Sequence, residues 1–192
     1  SFGTVIANII AANGHAVHFW MRSESLVSQV NMQHENPEYL PGYSLGERIV
    51  ATQDMAKAVT GSSIVFVAVP SASFRAVVRQ IMKHAAPDVM LVSTTKGIEA
   101  DSFMLMSEVL KAEAPEAKIG VLSGPNLATE IAASQLTGSV IASSQEQVRS
   151  TIQELLKSDT FRVYTNDDVF GIELGGSLKN IYAIIAGIAS AL

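Results

Sequence analysis

Cysteine is absent from this chain of 192 residues. Its absence excludes disulfides, thiolate zinc sites and a cysteine nucleophile, and fits a reducing compartment. Charge is sparse as well, at 16% of residues, and Lys and Arg form no cluster. With a formal net charge of -5 the chain is a poor candidate for nucleic-acid binding by phosphate neutralisation. Histidine is scarce: His15, His18, His34 and His84 show no metal-ligand spacing, and no serine-histidine-acid set accompanies them. We therefore expect no metal site. Low-complexity segments and repeats are missing too.

What is abundant is apolar surface, at 48% of residues, which predicts a large core under a modest polar surface. Helices are expected over 4–13 (closed by Gly14), 23–31 (capped by Ser23), 54–59, 73–84, 103–112, 126–133 and 145–156, with a last one from about Asp167. Strands are expected over 17–21, 49–52, 64–69, 90–93, 119–122, 139–142 and 161–164, and residues 37–46 read as a loop. The unbroken apolar run at 64–69 suits a strand buried on both faces. Strands alternating with helices indicate an α/β fold, a doubly wound parallel sheet wrapped by helices. The first helix has no strand before it, so the first strand of such a sheet is expected to be missing. From the sequence we expect no signal peptide before that helix, and the first residue is not methionine. The chain also stops inside an apolar helix, and we expect it to be a fragment of a longer protein.

In an open parallel sheet, ligands bind outside the carboxyl ends of the strands. That rule selects Trp20-Met21-Arg22-Ser23, Val69-Pro70-Ser71, Ser93 to Gly97, and Leu122 to Asn126. Gly3 in Ser1-Phe2-Gly3-Thr4 can be the last glycine of a GxGxxG turn, with the free amides of the helix start facing a pyrophosphate. Arg22 follows at the end of the second expected strand, where an acidic residue would select NAD; an arginine there can accept a 2′-phosphate. Lys96 stands at the binding edge, just before Gly97. Ser123-Gly124-Pro125-Asn126 is a strand-to-helix turn whose amides and Asn126 side chain can hold an anionic or hydroxylated ligand.

Lys179 is the most unusual residue. It stands in Leu174-Gly175-Gly176-Ser177-Leu178-Lys179-Asn180, and no charged side chain follows it. Gly176, Lys179, Asn180, Ala183 and Gly187 share one helical face, a small-residue stripe with one ammonium and one amide. A cation beside a surface that another body can approach closely needs a partner or a task. The uncharged stretch after Lys179 is shorter than the ~20 residues of a membrane span, so a buried helix is expected rather than a membrane span.

Several of these segments occur together, in order, across the whole chain: Ser1-Phe2-Gly3-Thr4, Asn13-Gly14-His15, Trp20-Met21-Arg22, Tyr39-Leu40-Pro41-Gly42, Val69-Pro70-Ser71, Thr95 to Glu99, Leu122 to Pro125, and Leu174 to Asn180. In this the chain resembles the N-terminal part of the bacterial type of NAD(P)-dependent glycerol-3-phosphate dehydrogenase. The resemblance implies a Rossmann-like dinucleotide-binding domain over 1–166, incomplete at its start, and the opening of a helical substrate domain over 167–192. It implies NAD(H) or NADP(H) as cofactor, and dihydroxyacetone phosphate and sn-glycerol 3-phosphate as substrates, for glycerophospholipid synthesis. It also implies a cytoplasmic enzyme and, at full length, a homodimer.

By the same resemblance Lys179 matches the catalytic lysine, the proton acceptor in glycerol phosphate oxidation. Lys96 matches a lysine touching cofactor and substrate. Gly124, Asn126 and Asn180 match substrate positions, and Ser1, Phe2, Gly3, Arg22, Tyr39 and Ala128 match cofactor positions. One departure stands out: many bacterial members carry Thr or Ser, then Phe, where this chain has Asn126-Leu127. The runner-up enzymes are a hydroxyacid dehydrogenase or ketopantoate-type reductase, which share the sheet and a lysine-asparagine helix. A non-catalytic nucleotide-binding module is the alternative of another class.

Overall fold

The computed structural model describes residues 1–191; the side chains of Asn180 and Ala191 lie outside the described residues, and so does Leu192. Helix α1 (Phe2–Ala12) forms because Val5, Ile6, Ile10 and Ala11 recur at helical spacing and bury together. It ends at Asn13, and Gly14 takes φ 91° to turn the chain into β1 (Val17–Trp20). Helix α2 (Glu24–Gln33) is capped by Ser23, whose Oγ accepts the Leu26 N–H at 3.4 Å. Residues 35–44 correct the expected loop. They hold a short antiparallel pair, β2 (Glu35–Asn36) and β3 (Leu40–Ser44). The pair pins itself to α1: buried Asn36 donates from Nδ2 to Thr4 Oγ1 at 3.0 Å.

Strand β4 (Ile49–Thr52) pairs parallel with β1. Then come α3 (Met55–Val59), β5 (Ile64–Val67), α4 (Ser71–Ile81), β6 (Met90–Ser93), α5 (Met106–Glu113) and β7 (Lys118–Ser123). After them come α6 (Ala128–Ala132), β8 (Thr137–Ala142), α7 (Glu146–Leu156), β9 (Phe161–Asn166) and α8 (Val169–Ala191). Strands β5 to β9 form one sheet in sequence order. Its two faces carry two apolar clusters, because alternate residues of a strand point opposite ways. Met90 and Val92 join α1 and α7 on one face; Leu91 joins α4 and α5 on the other.

Two expectations about the sheet change. It is not wholly parallel: β8 runs antiparallel to β7, and β9 follows β8 in parallel. Returning a chain along a six-residue strand of roughly 20 Å takes a helix of about thirteen residues, whereas α6 has five. So the chain starts back down at once. Strand β5 is not buried on both faces either: Ile64, Val65 and Phe66 are half-buried. They and the whole of β1 line a cavity of about 1230 Å³ that separates the two sheets. Helix α5 starts three residues later than expected, since Phe103 turns left-handed at φ 57° in the approach to it. Among the described residues no single helix is long and apolar enough to cross a membrane, and the apolar stretch of α8 after Lys179, expected to be buried, is exposed at Ile181, Tyr182, Ile184, Ile185 and Ile188.

Candidate active site

Helix α8 leaves β9 under a local cap: Asp168 Oδ1 accepts the Gly171 N–H at 2.8 Å. The helix then crosses the carboxyl end of β7. At Gly176 the contact is so close that a Cβ would overlap Ser123 Oγ. The absent side chain is what lets α8 reach the sheet edge. One residue on, Ser177 Oγ accepts the Gly97 N–H at 3.1 Å and donates to the Glu173 carbonyl at 3.0 Å. The loop after β6 is thereby tied to α8.

These contacts bring two cations together. Lys96 Nζ donates to the Gly124 carbonyl at 3.0 Å, across the strand ends. Lys179 lines a hollow of about 300 Å³ with Ser123, Gly124, Gly175 and Gly176. Burial of the Lys96 ammonium end lowers its pKa, and the charge of Lys179 lowers it further. Two like charges brought together at the strand ends beside a hollow make a place for an anion. Asn126 is placed differently. It is buried, its Nδ2 donates to Ser139 Oγ at 2.6 Å, and its side chain braces the turn rather than opening into the hollow. For Asn180 the backbone continues α8, and the side chain lies outside the described residues.

The Lys96 loop is anchored from behind. Glu99 receives a forked pair from Arg75, at 2.8 and 2.6 Å, while Arg75 and Arg79 both grip Glu113. Arg75, with help from Ser102, holds the Glu99 carboxyl down at about 2. Neither Arg75 nor Glu173 was singled out from the sequence, and Glu99 entered only as the end of the Thr95 to Glu99 segment. Glu173 had a signal, being the one acid in α8, but a lone acid has no period to read.

The larger cavity meets the strand ends at its polar mouth, where Ser1, Gly3, Arg22 and Tyr39 all line it. Gly3 is needed there: a Cβ would come within 2.9 Å of Ala68 Cβ at the end of β5. Ser1 stands at the N-cap of α1 without a side-chain bond, so the first-turn N–H groups keep no cap of their own. Arg22 lies close enough to Tyr39 for its charge to offset part of the pKa rise that Glu38 imposes on the phenol. Phe2 and Ala128 do not line the mouth; both pack against the apolar cluster beneath it.

A doubly wound sheet with a helix start, an arginine and two lysines gathered at its strand ends defines a Rossmann-like nucleotide-binding protein. Residues 1–149 match the family model described as NAD-dependent glycerol-3-phosphate dehydrogenase N-terminus, and the chain belongs to that family. It is 52% identical over 192 residues to a protein of Teredinibacter turnerae named glycerol-3-phosphate dehydrogenase [NAD(P)+], covering all of this chain and 56% of that protein. A protein of the same name from Saccharophagus degradans is 50% identical, again over all of this chain and 54% of its own length. The crystal structure of glycerol-3-phosphate dehydrogenase from Coxiella burnetii superposes with a TM-score of 0.90 at 34% identity, covering 97% of this chain and 57% of that one. The chain thus spans little more than half the length of the relatives it matches.

Proposed function

We propose that the protein carrying this chain is an NAD(P)-dependent sn-glycerol-3-phosphate dehydrogenase, which reversibly reduces dihydroxyacetone phosphate. The observation that carries this reading is the convergence of Lys96 and Lys179 at the carboxyl ends of β6 and β7, beside a hollow floored by Gly124 and Gly176. The family match over the dinucleotide-binding region supports it.

The head of α1, with Gly3, Arg22 and Tyr39, would hold the phosphates and adenosine end of NAD(H) or NADP(H). Arg22 is suited to a 2′-phosphate, so NADP(H) should be accepted. The nicotinamide cofactor, when bound, supplies the hydride for C2 of the ketone. Lys179, as ammonium, hydrogen-bonds the C2 oxygen and gives it a proton, so that ketone, hydride and proton sum to the secondary alcohol. In the oxidising direction neutral Lys179 takes that proton back. Lys96, seated on the Gly124 carbonyl, adds positive charge facing the phosphorylated substrate.

We assign residues 1–166 to the dinucleotide-binding domain and 167–192 to the start of a helical substrate domain. Asn126, Asn180, Phe2 and Ala128 keep their proposed places around substrate and cofactor, Asn126 and Ala128 acting from within the β7–α6 turn and the packing beneath it. A cytoplasmic homodimer is the expected form.

The test is turnover of dihydroxyacetone phosphate with NADH and NADPH by the complete gene product, followed by nicotinamide absorbance. Lys179→Ala should lower kcat by ~10²–10⁴, the range of an acid-base group, while cofactor affinity holds. Turnover within about tenfold of wild type would remove Lys179 from that role. Preference for a hydroxyacid or ketopantoate over dihydroxyacetone phosphate would give the reaction to the runner-up, and cofactor binding with no turnover would leave a binding module.

A further inference from the structure

Outside the lysine hollow, one ionisable side chain among the described residues is buried with no part in the chemistry above. Glu173 on α8 is 3% exposed. Burial raises its carboxyl pKa and Glu108 adds to the rise, while Ser107 and the backbone of Met106 oppose it. Its Oε1 accepts the N–H of Ser107 at 3.0 Å, and its Oε2 is buried without a hydrogen-bond partner. Ser107 lies in the first turn of α5, a turn whose N-cap residue is Leu105 and has no side-chain oxygen to offer. Glu173 therefore caps one helix from another.

The spacing of this contact matters. Glu173, Gly176 and Ser177 are three and four residues apart and share a face of α8. They meet the head of α5, Ser123 at the end of β7, and Gly97 after β6. A glycine contact and a neutral hydroxyl bond each leave a helix some freedom to slide or turn. A buried carboxyl group does not, because moving it off its one donor leaves both oxygens unpartnered in the interior. Lys179 lies six residues beyond Glu173, about 9 Å along the axis, so any influence passes through the helix as a body.

We propose that Glu173 is a positioning residue: seated on the Ser107 N–H, it sets the rotation and height of α8 and so brings Lys179 to the hollow opposite Lys96. The proposal rests on the reading of Lys179 as the acid-base group.

The experiment compares wild type, Glu173→Ala and Glu173→Gln in the complete gene product. Cofactor Kd is taken from nicotinamide fluorescence, and kcat and KM from reduction of dihydroxyacetone phosphate. Glu173→Ala should bind cofactor within about twofold of wild type and lose ~10²-fold in kcat, the cost of misplacing a reacting group by about 1 Å. Glu173→Gln keeps an acceptor oxygen for Ser107 and should recover kcat to within about fivefold of wild type. An alanine variant with normal cofactor binding and a kcat within about threefold would overturn the proposal, as would equal losses in both variants. Loss of cofactor affinity with kcat intact would also overturn it, by making Glu173 a general support of the fold. If the alanine variant does not fold, Glu173→Asp replaces it, since the shortened acid cannot reach Ser107 from the same helix position; undiminished kcat there overturns the proposal equally. A wild type without turnover defeats the reading of the reaction, and the proposal with it. An active wild type with unaffected variants defeats the positioning role alone.

Discussion

A methyl group at Gly176 would overlap Ser123 Oγ, so either that hydroxyl turns about χ1 or α8 shifts. Gly176→Ala should therefore strain the seat of α8 on the end of β7, at a cost of about 1–3 kcal/mol in stability and at least a tenfold drop in kcat. Ser123→Ala in the same chain removes the offending oxygen and leaves a Cβ at 3.6 Å, an ordinary contact. The double variant should recover most of both losses, and a double-mutant cycle on denaturation midpoint and kcat measures the coupling. Lys96 gives a second prediction. Burial first and Lys179 second depress its pKa below 10.5 in the fold, so its charged form is penalised. The sign follows: the penalty is full below the folded pKa, and stability rises as pH climbs from there towards 10.5. Lys179→Met should raise the Lys96 pKa without restoring it fully, as read by NMR titration of its side-chain signals. Both lysines were legible as candidates in the sequence, one from its strand-end position and one from its isolation. Their meeting was not, since they are 83 positions apart (179 − 96) and joined through a hydroxyl, Ser177, that the sequence makes look ordinary.

At the scale of elements, the loop between β6 and α5 is held by charge as well as by a single antiparallel bridge between Ile98 and Leu105. Arg75 on α4 bridges Glu99 in that loop and Glu113 at the end of α5. The Glu99 carboxyl sits at about 2 against an ordinary 4.5, and Glu113 is lowered as well. Their contribution to stability is present above pH 4.5 and is lost as pH falls from 4.5 towards 2. Arg75→Met should flatten the pH dependence of urea unfolding in that window and raise KM for dihydroxyacetone phosphate through a loosened Lys96 loop. An unchanged acid slope would show the ion pairs to be surface decoration. The sequence placed most elements within a few residues, because strand runs and capped amphipathic helices such as the one after Ser23 carry their own period. It failed where the chain turns against propensity: at Phe103, left-handed before α5, and at residues 35–44, whose proline and glycine hide a strand pair fastened by Asn36.

For the whole molecule the dominant feature is the apolar cavity between β1 and β5. Among the described residues each of these strands has a single partner, β4 and β6 respectively, so each leaves an edge without ladder bonds. Unpaired edges beside apolar walls are the complement of one more strand. An N-terminal extension of about seven residues of β-branched character should pair with both edges and raise the thermal midpoint by ~5 °C or more, as about 2 kcal/mol would in a chain of this size. Calorimetry reads the midpoint, and hydrogen exchange reads the β1 and β5 amides. No change in either would show that the space is not a strand's place.

The sequence by itself determined the alternation of strands and helices, the strand-end location of the chemistry, and the absence of thiol chemistry, because period, capping and composition are local quantities. Tertiary structure alone decided the reversal at β8, the slot between the sheets, and the joining of Lys96 to Lys179 by way of Ser177, Gly176 and Glu173. These depend on how far a five-residue helix can reach, on which edge finds a partner, and on where a buried carboxylate finds a donor, and each is a relation between distant parts of the chain.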